Sequence, residues 1–214
     1  MTTLTAIKGR PAKVSPLRSD APGTVTAMPS PTKLHHIHIF SDERYDEMVT
    51  FYLRMLNAEI IRVNPNGLTF MSYDDNDHRV VILKQPGGQH KPASPIGVSH
   101  VAFCYSSLGE LIHIYKQAKE WGYMPMFRCE NHGNSTSFYY LDPDGNRVEM
   151  MMDNYTPLET QDYKRYYQWS EEYGGKTEGY FNPDKMVELY ESGVPDEILL
   201  DREEVRRLIR EGRL

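Results

Sequence analysis

The sequence has 214 residues, enough for one ordinary domain with extensions but too few for two full-sized domains. Its formal charge of −6 argues against nucleic acid or an anionic membrane as a partner, because neither attracts a net anion. No apolar run approaches the length of a membrane span, and the first residues lack the apolar core of a signal peptide. The two cysteines, Cys104 and Cys129, fit no metal motif and predict reduced thiols in a cytoplasmic protein.

Composition divides the chain into three segments. Residues 1–33 contain five prolines and no sustained periodicity, which predicts an N-terminal arm that is mobile or strapped over a neighbour. Residues 34–152 carry the regular patterns of a folded domain. Residues 153–214 are polar and aromatic, with short amphipathic stretches too small for a core of their own. We expect a helical C-terminal extension that packs on the domain, caps its cavity or contacts a second subunit of a homodimer or higher homo-oligomer.

The middle segment contains an internal repeat. Leu34–Ile39 has the same pattern as Val98–Phe103, a short β-rich run with histidine in third place. Apolar positions at helical spacing follow each run, and the first helical pattern stops at Asn57. Ser107 and Glu110 have the spacing of a capping box at the start of the second helix.

The ends of the two repeats also match. Residues 70–81 and 138–149 both read as a strand, an acidic turn and a strand, aligned without a gap. Each repeat is therefore a β-α-β-β-β module, module one at about 34–85 and module two at about 98–152. We predict an α+β fold in which the two modules pair into a curved, partly closed sheet around a shared cavity.

His36 and His100 occupy equivalent places in the two modules, and Glu149 lies on the last strand of module two. Glu149 interrupts an apolar run, and a carboxylate in such a setting needs a partner that a metal ion would supply. Two imidazoles and one carboxylate hold one face of an octahedron and leave positions open for substrate and dioxygen. The pattern predicts that His36, His100 and Glu149 bind Fe(II), with Mn(II) as the alternative ion.

The repeat also bears on a fourth ligand. The gapless hairpin match makes Val81 the module-one equivalent of Glu149, and valine cannot bind a metal. Simple spacing nominates Gln85 instead, because 36 to 85 and 100 to 149 are both intervals of 49 residues. We favour Val81, since Gln85 falls against Pro86-Gly87-Gly88 at the end of the strand, and so expect three protein ligands.

The segment Gly133–Glu149 resembles the vicinal oxygen chelate superfamily, and within it the small one-domain type I extradiol dioxygenases that are biphenyl-2,3-diol 1,2-dioxygenase-like. Ser137, Tyr139 and the run Asp142-Pro143-Asp144-Gly145-Asn146 carry the match most specifically. The resemblance covers roughly residues 33–152. It implies a ring-cleaving dioxygenase that uses Fe(II) and dioxygen on a catechol-type aromatic diol, with the metal on the two histidines and the glutamate named above.

The resemblance also implies roles for side chains around the metal. It makes His78 the residue that faces the bound oxygen, His132 the acid/base and Tyr139 a hydrogen-bond donor to a substrate oxygen. The interval from His132 to Glu149 is shorter, and the stretch from His78 to His100 longer, than in the larger members of the family. Strand alternation puts His38 on the inward face as a substrate contact, and turns His35 to the opposite face from His36.

Three other functions are compatible with the same scaffold. One is a glyoxalase-type isomerase or lyase, which generally uses a fourth protein ligand. A second is a non-catalytic small-molecule-binding member, a class that usually lacks the metal residues. A third is an oxygenase or cyclase that keeps the three ligands and acts on a different substrate.

Overall fold

The structure is a computed structural model that describes residues 31–89, 96–126, 129–167 and 179–214. Nearly all of the arm predicted for residues 1–33 lies outside the described residues. Module one contains β1 Ile37–Ser41, α1 Tyr45–Met55, β2 Glu59–Asn64, β3 Leu68–Ser72 and β4 Val80–Lys84. Module two contains β5 Val101–Cys104, α2 Leu108–Glu120, β6 Cys129–Asn131, β7 Ser135–Leu141 and β8 Arg147–Asp153.

The C-terminal extension follows module two directly. It contains α3 Pro157–Asp162, a π-helical segment Tyr163–Tyr167, β9 Tyr180–Phe181, α4 Pro183–Glu191, α5 Asp196–Leu200 and α6 Arg202–Arg210. Among the described residues, no helix is both long and apolar enough to cross a membrane.

The modules form two separate mixed sheets. The strand order is β1-β4-β3-β2 in the four-stranded sheet and β5-β8-β7-β6-β9 in the five-stranded sheet. The first and last strands of each module run parallel, and their neighbours are antiparallel. The predicted α+β fold of two βαβββ modules with a helical extension is confirmed.

Strand register shows which residues of the two modules are equivalent. Ile37 pairs with Val80 in module one, and Val101 pairs with Val148 in module two. His36 and His100 each precede these pairs by one residue, so their predicted equivalence is confirmed. The residue after Val80 is Val81, which makes Val81 and not Gln85 the counterpart of Glu149.

The gapless hairpin match is wrong by one residue in its first strand. Val81 pairs with Phe70, which lies 11 residues earlier (81 − 70), whereas Glu149 pairs with Tyr139, which lies 10 residues earlier (149 − 139). The acidic turn of module one therefore carries one extra residue, and Phe70 is the counterpart of Tyr139. A turn can absorb an added residue without changing the strand that follows it.

One hydrophobic core joins the two modules. Met48 and Phe51 of α1 pack with Leu111 and Tyr115 of α2, all at most 1% exposed. The Tyr52 hydroxyl donates to Asp142 Oδ2 over 3.0 Å, which fastens α1 to the last hairpin of module two. The helices thus lie between the modules and fix the position of one sheet relative to the other.

Helix capping partly follows the sequence pattern. Ser107 caps α2 as predicted, because its hydroxyl accepts from the Glu110 amide, but Glu110 Oε2 accepts from the amide of Ser106 instead of Ser107. A full capping box forms at α3, where Thr156 and Glu159 exchange side-chain and backbone bonds. This second capping box, formed by Thr156 and Glu159, was not among the predicted helix caps.

The C-terminal extension packs on module two and lengthens its sheet. Strand β9, which sequence periodicity did not predict, pairs with β6. Met186, Leu199 and Val205 are fully buried within the common core. Both cysteines are free, Cys129 in the core and Cys104 exposed at the end of β5.

Candidate metal centre

His100 and Glu149 meet on one face of the five-stranded sheet. His100 lies at the start of β5 and Glu149 on β8, and their Nε2 and Oε2 atoms are 2.9 Å apart. The residue Glu149 is 7% exposed, so its carboxylate is almost removed from water. Register brings the two residues near each other, because Glu149 pairs with Ala102 and His100 stands immediately before the first residue of β5.

Tyr139 and His132 continue this group of side chains. Tyr139 on β7 pairs directly with Glu149, and its ring lies edge-on to that of His100 with centroids 5.8 Å apart. The phenol oxygen is 3.0 Å from Nε2 of His132, which stands in the loop between β6 and β7. Four residues of module two predicted to act together are therefore contiguous.

The environment favours neutral forms of both Tyr139 and His132. Burial, and then the neighbouring Glu149 charge, raise the pKa of the Tyr139 phenol. Burial lowers the pKa of His132, and Lys164 and Arg202 lower it further, while Glu149 opposes them. Near neutral pH the phenol keeps its proton and the imidazole is free to accept one.

Glu130 adds a partner for His132 that the sequence analysis did not single out. Its Oε1 atom lies 3.5 Å from Nδ1 of His132. A carboxylate on that side favours the tautomer with its proton on Nδ1 and leaves Nε2 as the acceptor. Glu130 pairs with Ser137 on β7 and with Tyr180 on β9, so the three side chains lie on the same face of the sheet. Strand alternation offered a signal for this orientation of Glu130.

His36 lies in a different group of side chains. Within the described ranges, one set of three residues has potential ligand atoms all within 4.8 Å of one another, and it consists of His35, His36 and His78. The rings of His36 and His78 are 4.5 Å apart, and Asp77 Oδ2 is 2.7 Å from Nδ1 of His78. The structure thus brings His100 and Glu149 together, but it does not gather His36 with them.

The expectation that His35 points away from His36 was wrong. Their Nδ1 atoms are 3.2 Å apart. The paired strand begins only at Ile37, and the Arg79 guanidinium donates to the carbonyls of Leu34 and His35. Alternation of faces holds within a pleated strand and does not extend to residues that precede it.

His38 occupies the module-one position that Ala102 has in module two. It is exposed on β1, pairs with Val81, and its ring lies 5.4 Å from that of Phe40. Gln85 is exposed beyond the end of β4, and its backbone amide donates to the Ser41 carbonyl. Module one therefore presents an apolar row, Val81 and Phe70, where module two presents Glu149 and Tyr139.

The donor set in module two fits a divalent transition metal. Adjacent ligands of an octahedral ion at about 2.1 Å stand about 3 Å apart, and the His100–Glu149 separation is 2.9 Å. A nearly buried carboxylate also needs a positive partner, which a bound metal ion would supply. His36 is exposed on the surface of module one. Partial desolvation of its ring, and then the neighbouring histidines, lower its pKa, which favours the neutral form that a metal requires.

Comparisons with known proteins identify the family of the chain. The model of the Glyoxalase/Bleomycin resistance protein/Dioxygenase superfamily matches residues 33–150. Biphenyl-2,3-diol 1,2-dioxygenase 3 of Rhodococcus globerulus is 39% identical over 160 residues, which are 72% of this chain and 80% of that protein. Biphenyl-2,3-diol 1,2-dioxygenase 2 of the same organism is 33% identical over 174 residues, which are 80% and 86% of the two chains.

Among solved structures, lactoylglutathione lyase from Agrobacterium tumefaciens matches 57% of this chain and 94% of its own, with a TM-score of 0.45 and 19% identity. The superfamily model covers more than half of the chain, and both relatives from Rhodococcus are more than 30% identical to it. The chain therefore belongs to the Glyoxalase/Bleomycin resistance protein/Dioxygenase superfamily and is a dioxygenase-type oxidoreductase.

Proposed function

We propose that the protein is an extradiol dioxygenase that cleaves the ring of a catechol-type aromatic diol and incorporates both atoms of dioxygen. The observation that carries the proposal is the continuous contact from His132 through Tyr139 to the His100–Glu149 pair. The names of the two relatives support an aromatic diol as substrate.

The metal site would be formed by His36 from module one with His100 and Glu149 from module two. Fe(II), or Mn(II), when bound there, supplies chelation of two adjacent hydroxyl oxygens and the one-electron chemistry that dioxygen requires. Because Val81 takes the place of a fourth ligand, three coordination positions stay available for substrate and dioxygen. This also disfavours the glyoxalase-type alternative.

The remaining side chains would handle protons and orientation. His132, kept neutral by burial, accepts a proton from a substrate hydroxyl at Nε2. Tyr139, kept protonated, donates a hydrogen bond to a substrate oxygen. His78 would face the dioxygen side of the site, and His38 would contact the aromatic ring on the module-one face.

A turnover assay tests the proposal. Protein purified without oxygen and loaded with Fe(II) is mixed with catechol or 2,3-dihydroxybiphenyl, while oxygen uptake and the yellow ring-fission product are followed. We expect one oxygen consumed per product formed. Absence of both uptake and colour over a range of catechols would overturn the proposal, whereas turnover with Mn(II) in place of Fe(II) would change only the metal.

Variants test the residues separately. Glu149→Gln keeps the shape of the side chain but loses its charge, and we expect loss of bound metal and of turnover together. His132→Gln should keep the metal and lower kcat by about 100-fold or more, the usual contribution of a general acid/base. His113→Gln, at an exposed position on α2, is the matched control and should leave both unchanged.

A further inference from the structure

The loop that carries His132 is held by residues that come after module two. We define the His132 loop as residues 132–134. It is flanked by two asparagines that are almost fully buried, Asn131 at 1% and Asn154 at 3% exposed. Buried amide side chains are retained where their hydrogen bonds are satisfied, so their partners indicate what they fix in place.

Asn154 bonds to both sides of the loop. Its Nδ2 donates to the Gly133 carbonyl over 2.9 Å, and its backbone amide donates to the Asn134 carbonyl over 2.8 Å. Its Oδ1 accepts from the Thr136 hydroxyl at 2.9 Å. The side chain and backbone of one residue thus hold the end of the loop and the start of β7.

The carbonyl of Leu200 joins this network to the C-terminal extension. It accepts from Asn131 Nδ2 at 2.9 Å and from Asn154 Nδ2 at 3.2 Å. Asn131 Oδ1 in turn accepts from the Gly133 amide at 2.7 Å. Asn131 and Asn154 therefore bond the peptide groups on either side of Gly133, and the Leu200 carbonyl ties these two asparagines together.

A second contact of the extension covers the same loop. The Tyr163 phenol packs against Gly133, and the Arg202 Nη1 donates to that phenol over 3.1 Å. Strand β9 adds to this, because the Asn131 amide donates to the Gly179 carbonyl over 2.8 Å. The loop is thereby covered by Tyr163 of the π-helical segment and by Arg202 at the α5–α6 junction, and its neighbour Asn131 is bonded to the residue before β9, all outside the two modules.

We propose that Asn154 is a positioning residue for His132, and that through the Leu200 carbonyl the C-terminal extension sets where the imidazole stands relative to Tyr139. The proposal rests on the proposed function of His132 as acid/base. A hydrogen-bonded network around the supporting peptide groups fixes one geometry of the loop, which apolar packing alone would not specify. Loss of such support displaces a proton-transfer group that has to lie within hydrogen-bond reach of its partner.

The test is Asn154→Ala in the full chain, with turnover and hydrogen exchange measured on the same protein. We expect kcat to fall by about 10- to 100-fold, as for other residues that orient an active group, with KM changed by less than about 3-fold. In a His132→Gln background, Asn154→Ala should lower kcat no further. Hydrogen exchange at the His132 and Gly133 amides of the metal-free protein should accelerate at least about tenfold.

Asn182→Ala is the matched control, because Asn182 is also an asparagine of the extension, caps α4 and does not bond the His132 loop. It should lower the melting temperature while kcat and exchange at Gly133 stay unchanged. Thr136→Val, which removes only the hydroxyl bonded to Asn154, is the milder variant if Asn154→Ala does not fold. It should lower kcat by about 3- to 10-fold with the same pattern.

Two outcomes overturn the positioning role. One is an equal loss of kcat for Asn154→Ala with and without His132, and the other is unchanged exchange at the His132 and Gly133 amides. If the unmodified protein turns over no catechol, the proposed function fails on its own, and the exchange measurement still decides whether Asn154 holds the loop.

Discussion

Gly133 is the residue whose backbone most restricts what can stand beside His132. Its φ of +89° lies in the left-handed region, and an added Cβ would overlap the Tyr163 hydroxyl. Gly145 has a similar φ of +80° but open space around it. We expect Gly145→Ala to lower the free energy of unfolding by about 1–2 kcal/mol, and Gly133→Ala by about 1–3 kcal/mol more because of the overlap. Equal losses in urea unfolding would contradict the packing argument.

The lowered pKa of His132 has a consequence for stability. Because its pKa in the folded protein lies below 6.5, the unfolded chain binds more protons than the folded one as pH falls through that range. The contribution of neutral, buried His132 to the free energy of unfolding is therefore complete above about pH 6.5. It is lost at lower pH, where the unfolded chain takes up the proton first. We expect metal-free protein to lose stability relative to His132→Gln between pH 6.5 and 5, by chemical denaturation. If the difference in unfolding free energy between the unmodified protein and His132→Gln did not change with pH, burial would not depress the pKa of His132.

Among the elements, α3 depends on its cap. Thr156 Oγ1 accepts from the Glu159 amide, whereas the Thr160 hydroxyl on the same helix is buried and has no hydrogen-bond partner among the described residues. Thr156→Val should cost about 1 kcal/mol of unfolding free energy, and Thr160→Val should cost nothing or stabilise slightly. The pair is matched in residue type, helix and substitution. A larger loss for Thr160→Val would show that the capping box does not hold α3.

At the scale of the whole molecule, the proposed metal joins the two modules, since His36 comes from one and His100 and Glu149 from the other. Metal at a free concentration 1,000 times its Kd should add about 4 kcal/mol to the free energy of unfolding. This corresponds to about 10 °C in melting temperature for a chain of this size. His36→Ala should abolish this gain and His35→Ala should preserve it, as read by calorimetry with and without chelator.

The alternative is a metal held by His35, His36 and His78. In that case His35→Ala and His78→Ala would abolish the stabilisation, and Glu149→Gln would leave it intact. A structure of the loaded protein gives the same answer, because it shows whether the metal is bound by His100 and Glu149 or by His35 and His78.

The repeated modules, their helices and the equivalence of His36 with His100 and of Val81 with Glu149 could be predicted from the amino-acid pattern. These features depend on period, strand alternation and the order of strand and turn, which are properties of neighbouring residues. Matching the two repeats without a gap did not reveal the extra residue in the acidic turn of module one. The length of a turn is not determined by the alternation of side chains along the strands that it joins.

The surroundings of the candidate site, in contrast, depend on contacts between distant parts of the chain. His35 turns toward His36 because Arg79 fixes the backbone ahead of the strand, and β9 joins a sheet whose edge no local pattern reveals. The bond from Asn131 to Leu200 spans 69 residues. Contacts of that range depend on how the extension folds back onto module two, which periodicity cannot encode. The contact of His100 with Glu149 could therefore be predicted from sequence, but the support of His132 could not.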